Sequence, residues 1–130
     1  MIEELLNLLA SQYKIAPPTR KEEASPWILR IGGREIAIQE LGRGVRFFAR
    51  IKPLPAKKHE TLFAWLMKAN FLGQGTGGAA IGMDKDEKYL TLSLDLPYEV
   101  NYEIVREKLE DYINFMDYWA DEVEKFVKQG

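Results

Sequence analysis

Between Trp27 and Ile51 the apolar residues of this chain recur at every second position, and two glycine turns interrupt the run. Trp27, Leu29 and Ile31 alternate with Ile28 and Arg30, and Gly32-Gly33 makes a tight hairpin. Ile36 and Ile38 alternate with Glu35, Ala37 and Gln39; after Gly42-Arg43-Gly44, a further inward set follows in Val45, Phe47, Ala49 and Ile51. A period of two with one apolar face makes strands, and turns this short allow only antiparallel neighbours. The stretch therefore predicts an antiparallel meander. Its outward set is not uniformly polar, because Phe48 sits between Arg46 and Arg50 and Ile28 sits beside Arg30. Such a pair is covered either by the same chain or by a partner.

On both sides of the meander the period changes to that of a helix. Ile2, Leu5, Leu6, Leu9 and Tyr13 recur at spacings of three and four, with Leu8 widening the stripe and Glu3 and Glu4 at the start, where the helix dipole favours acid. Pro17-Pro18 ends that helix, and Thr19 to Ser25 reads as a charged loop. A second helix is predicted from about Lys58 to Phe71, carrying Leu62, Phe63, Trp65, Leu66, Met67, Ala69 and Phe71 on more than one face. A helix apolar nearly all round is buried centrally or joins an oligomer interface. Asn101 is a good N-cap for a last helix, with Glu103 in its first turn. Val105, Leu109, Tyr112, Met116, Trp119, Val123 and Phe126 form its seam, while Phe115 and Tyr118 lie on a second face. With other elements needing cover, that seam reads as packing on the chain's own sheet rather than as a coiled coil.

The stretch from Leu66 to Pro97 links these parts. A helix end in Leu66 to Phe71 is followed by the turn Gly73-Gln74-Gly75-Thr76-Gly77-Gly78, a strand in Ala79 to Met83, a polar tetrad Asp84-Lys85-Asp86-Glu87, and a strand through Leu90, Leu92, Leu94 and Leu96. The predicted order is α-β-β-β-α-β-β-α, an α+β sandwich of helices and antiparallel sheet. At 130 residues the chain suits a single domain over residues 1–130.

Composition removes most catalytic readings. There is no cysteine, hence no disulfide, thiolate metal site or cysteine nucleophile, and the one histidine, His59, lies in the charged helix start Lys57-Lys58-His59-Glu60. The glycine run lacks the Gly-Lys-Ser/Thr of a phosphate loop and leads from helix to strand, the wrong order for one. Asp84, Asp86 and Glu87 sit on too short a hairpin to supply a calcium loop. Glu110-Asp111 and Asp121-Glu122 read as a solvated face, because neighbouring exposed carboxyls do not acquire the raised pKa of a general acid. These residues predict no catalytic, cofactor or metal site, and no enzyme. The net charge of −2 conceals opposite halves, with 12 Lys/Arg against 7 Asp/Glu in residues 1–70 and 6 against 13 in residues 71–130. That division argues against a uniformly basic nucleic-acid platform, although Arg43, Arg46 and Arg50 with Phe47 and Phe48 leave a small nucleic-acid-binding or regulatory module as the alternative. No run of eighteen apolar residues and no basic signal-peptide start is present, so a soluble chain without membrane contact is expected.

Ala69-Asn70 at a helix end, Thr76-Gly77-Gly78-Ala79 opening a strand, Gly82-Met83-Asp84 entering a hairpin, and Leu90, Leu92 and Leu94 before Leu96-Pro97 together resemble the class I type III secretion chaperones, the CesT/SycE-like family. The likeness is strongest over residues 62–97. The family's first helix often ends in glycine before an apolar residue, whereas Tyr13-Lys14-Ile15 stands here. The resemblance implies a cytoplasmic homodimer that serves virulence-associated secretion. It would bind the N-terminal segment of a secreted effector or translocator in extended form, without ATP, and would have a secretion ATPase as a further candidate partner. It implies client binding across helix 1 and the first sheet, for which Leu5, Leu9, Trp27, Ile28, Ile38 and Phe48 are the candidates. It implies dimerisation through the second helix and neighbouring strands, for which Leu62, Trp65, Leu66 and Phe71 are the candidates.

Overall fold

In the computed structural model, which describes residues 2–55, 59–70 and 78–128, the element order is α1 (Ile2–Tyr13), β1 (Trp27–Ile31), β2 (Arg34–Glu40), β3 (Val45–Pro53), α2 (His59–Asn70), β4 (Ala80–Met83), β5 (Tyr89–Leu96) and α3 (Tyr102–Lys128). This is the order that the periodicities predict. The strands form one sheet ordered β1-β2-β3-β5-β4, with β1–β2, β2–β3 and β4–β5 all antiparallel. The glycine run Gly73 to Gly77 lies outside the described residues; Gly78, its last member, has φ +91° and needs glycine for that reason.

Two compact units are distinguished, Met1–Ala49 with Asp95–Leu109, and Arg50–Leu94 with Glu110–Gly130. In the first, the meander pairs in the register its alternation requires. Trp27, Ile38 and Phe47 stand in one cross-strand row and Ile28, Ala37 and Phe48 in the next. The first row is buried with Leu29, Ile36 and Val45, and the helical stripe of α1 is buried at Ile2, Leu6, Leu9 and Ala10. Each large apolar side chain so buried contributes about 1.5–3 kcal/mol. Gly44 is obligatory, since it has φ +86° and a β-carbon there would stand 1.7 Å from the Leu96 carbonyl oxygen.

In the second unit α2 packs on β4, and the α3 seam is buried at Tyr112, Met116, Trp119 and Val123. The Tyr112 hydroxyl donates to the Leu92 carbonyl oxygen, and burial pushes its pKa well above the ordinary phenol value. Trp65 of α2 meets Trp119 edge-on at 5.3 Å and stacks on Phe126 at 5.6 Å. Asn70, the last residue of α2, donates from its amide to the Ile81 carbonyl at 2.8 Å and accepts the Ile81 N–H at 2.7 Å. A carboxamide thus plays the part of a neighbouring strand along the margin of β4.

Asn101 caps α3 as expected, its carboxamide oxygen accepting the Ile104 N–H at 2.9 Å. At the end of α1, the Lys14 N–H donates to the Ser11 carbonyl and the Ile15 N–H to the Ala10 carbonyl, while Lys14 takes φ +56°. This is a Schellman closure with lysine where the left-handed conformation favours glycine. Lys14→Gly is expected to stabilise the chain by about 1 kcal/mol by relieving that strain, read as a higher urea midpoint with unchanged slope; an unchanged or lower midpoint contradicts the assignment.

Candidate functional site

Alternation along β1, β2 and β3 sends one row of side chains into the first unit's core and leaves the next facing outward. The outward row is Ile28, Ala37 and Phe48, with Ile28 and Ala37 half-buried and Phe48 39% exposed. Polar pairs border it on both sides. Arg30 and Glu35 form an exposed ion pair at 3.4 Å on one side. On the other, Gln39 is in register with Arg46, whose guanidinium donates to both carboxylate oxygens of Asp95 at 2.6 and 3.0 Å. The result is an apolar strip one residue wide across three strands, framed by charge.

A second concavity lies near the start of α1. Ile2, Leu5, Leu41, Val45 and Val100 line a cleft of about 580 Å3, with Glu40, Arg43 and Glu99 among its polar residues. Gly44 in the turn beside it lies close against the backbone at Leu96 and Tyr98, leaving no room for a side chain.

The six residues expected to meet a client therefore occupy three kinds of position. Ile28 and Phe48 flank Ala37 in the outward strip, Leu5 lines the cleft, and Leu9, Trp27 and Ile38 are buried in the core beneath. Of the four expected at a self-interface, Leu62 and Leu66 are buried, Trp65 is half-buried in its aromatic cluster, and Phe71 lies outside the described residues. The outermost apolar side chains on α2 and β4 are instead Met67, 70% exposed, and Met83, 41% exposed. Their signal in the sequence is only that each is an apolar residue off its element's buried set.

The arginines that suggested a nucleic-acid surface are mostly tied to acid. Arg46 is held by Asp95, and Arg50 reaches Asp84 at 3.7 Å while lying 4.6 Å from the centre of the Tyr89 ring. Phe47 is fully buried. The Arg46 hydrogen bonds hold the Asp95 carboxyl below the usual range. Asp84 is lowered chiefly by the Lys88 N–H, assisted by the Tyr89 N–H and by Arg50. Asp84 thereby ties the hairpin it opens. Among the described residues no group of three His, Asp or Glu stands close enough to hold a metal, and no helix is long and apolar enough to cross a membrane. The side chain of His59 lies outside the described residues.

The model of the Tir chaperone protein (CesT) family matches residues 4–120. No curated protein sequence matches significantly. Among solved structures, a chain of the ExsC-ExsE complex superimposes with TM-score 0.77 at 13% identity, covering 92% of this chain and 91% of that one. A chain of the HopA1-SchA chaperone-effector complex gives 0.67 at 11%, covering 92% and 93%. A chain of the ExoU-SpcU complex from the type III secretion system of Pseudomonas aeruginosa gives 0.63 at 15%, covering 98% and 96%. At these identities the likeness is one of fold.

Asp84 and Asp95, two of the lowered carboxyls, each add a small acid-sensitive contribution to stability. Their folded values lie below the unfolded value of about 3.9, so their contribution is complete above about pH 4 and is lost as pH falls through the folded values. The urea midpoint is expected to fall on acidification below pH 4, and Asp95→Asn and Asp84→Asn should each flatten that fall; variants that keep the parent's slope would contradict it.

Proposed function

Because the chain belongs to the Tir chaperone protein (CesT) family, we propose that it is a cytoplasmic chaperone of a bacterial type III secretion system, acting as one domain over its whole length. It binds the N-terminal segment of a secreted protein in extended form and keeps that segment ready for export. Binding energy alone performs this task, so the chain carries out no reaction of its own and uses no ATP. The observation that carries the reading is the family match over residues 4–120, joined to an outward apolar strip framed by ion pairs. The chains of similar fold come from the ExsC-ExsE, HopA1-SchA chaperone-effector and ExoU-SpcU complexes, which supports a secreted protein as the partner class.

In this reading Leu5, Ile28 and Phe48 touch the client, while Leu9, Trp27 and Ile38 shape that surface from beneath. A charged frame around a narrow strip favours an unfolded segment with apolar residues spaced to match it over a folded domain. Self-association uses α2 and β4, with Met67 and Met83 outermost, Trp65 half-buried and Leu62 and Leu66 beneath, and Phe71 is assigned to it from the sequence. A secretion ATPase would meet the loaded chaperone, not the client-binding strip.

The test is native mass spectrometry of the chain captured from cells with an active type III system. Two copies with one larger protein are expected. Phe48→Asp and Leu5→Asp should each lower the captured amount at least about tenfold, with melting midpoints showing that the variants fold. A bare chain, or capture unaffected by both substitutions, would overturn the reading. Met67→Glu is expected to weaken self-association by about tenfold in sedimentation while sparing the fold, since burying an unpaired carboxylate is unfavourable; an unchanged association would remove α2 from the interface.

A further inference from the structure

The strand β1 is first in the sheet order, so one of its margins has no neighbouring strand. That margin is nonetheless occupied at one point. The Thr19 N–H donates to the Ile28 carbonyl at 3.0 Å, and the Ile28 N–H donates to the Thr19 carbonyl at 2.6 Å. The loop after Pro17-Pro18 therefore behaves there as a strand of a single residue.

Its brevity has a chemical cause. In an antiparallel register centred on Thr19 and Ile28, the next outward pairs, two residues away on each side, are Pro17 with Arg30 and Lys21 with Pro26. Pro17 has no N–H to give to the carbonyl facing it, and neither has Pro26. Each further pair could make at most one of its two bonds. Elsewhere the segment is held by Pro18, which is buried, and by Arg20, whose guanidinium lies 4.3 Å from the centre of the Trp27 ring and whose Nη1 donates to the Glu23 carbonyl at 2.7 Å, while Pro17, Thr19 and Arg20 are themselves exposed. The adjoining Trp27 has a buried indole N–H without a hydrogen-bond partner. A buried donor without an acceptor is costly and uncommon in a settled interface.

We propose that residues 17–20 are a placeholder strand, which in the free chain closes the outward hydrogen-bonding groups of Ile28 and is displaced by an extended segment of the client. This rests on the chaperone reading above and assigns it a position, the outer margin of β1, and a built-in competitor. A client segment with no proline opposite Arg30 makes the bond that Pro17 cannot. The client thus gains a bond that the placeholder lacks, while a chain without a client keeps its margin shut against other strands. Recognition through the backbone at this margin tolerates varied client sequences, and proline at the residue facing Ile28 or Arg30 is the substitution it rejects.

Residue-resolved hydrogen exchange on the full chain tests the proposal in two stages. Without a client, the Ile28 amide should exchange at least about tenfold faster than that of Leu29, whose N–H faces β2, because the placeholder opens locally. If Ile28 exchanges only with global unfolding, the placeholder does not open and the proposal falls, whatever the chain binds. With the protein captured by the wild-type chain from secreting cells as the probe, the Thr19 amide should lose its protection while Ile28 gains it. A Thr19 amide that stays protected in that complex overturns displacement but leaves the chaperone reading intact. Thr19→Pro, which removes one placeholder bond, and Arg20→Ala, which removes the guanidinium from the indole, should each tighten that probe's binding by about fivefold; unchanged or weaker binding contradicts the competition. Capture of no protein at all fails the reading beneath, and the inference with it.

Discussion

The backbone groups along the margins of an antiparallel sheet must be paired, covered or left to water, and much of this chain follows from how it handles them. Each end strand has a two-bond closure made from its own local sequence. At β1 the closure is the Thr19 backbone against Ile28; at β4 it is the Asn70 carboxamide against Ile81. The two devices differ in permanence. Asn70 is fixed by the end of a helix that packs on the strand it caps, and its two bonds are part of the hydrophobic unit beneath. Thr19 is itself exposed, in a loop held beside it by the buried Pro18 and by Arg20 over the Trp27 ring, and not by a helix packed on the strand it closes. A protein whose work is to receive an extended chain has reason to close one margin firmly and the other lightly.

The same accounting explains the division of apolar residues. A strand period of two assigns alternate residues to opposite faces, so once Trp27, Ile38 and Phe47 enter the core, Ile28, Ala37 and Phe48 are obliged to face outward. The outward strip is a consequence of register. What makes it a candidate surface is that its members are apolar and its borders are ion pairs, Arg30 with Glu35 and Arg46 with Asp95. Those pairs are exposed and add little stability. Their clearer effect is to withdraw Arg46, and with Asp84 also Arg50, from any role as free cations for nucleic acid.

The fold was legible in the sequence because each element carried a distinct period and a distinct stop. The alternation from Trp27, the two glycine turns, Asn101 as a cap and the seam from Val105 to Val123 all stand where the periodicities place them. The exit of α1 was not legible, since lysine is an uncommon choice for a left-handed closure and only the two backbone bonds of Lys14 and Ile15 reveal it. The surface was legible in part. Periodicity names the residues that are apolar but does not say which are spent on the core, so Leu9 and Ile38 looked like Leu5 and Phe48. Burial separates them. The Asn70 and Thr19 closures each span a loop, from Asn70 to Ile81 and from Thr19 to Ile28, and no periodicity announces such pairs.

A crystal structure of the chain with the protein it captures from secreting cells would test the central claim most directly. The account predicts an extended partner segment lying along the outer margin of β1 and over the strip at Ile28 and Phe48, with Thr19 moved away from Ile28. A partner bound as a folded domain, or seated on α2 and β4 with the β1 margin unchanged, would contradict it.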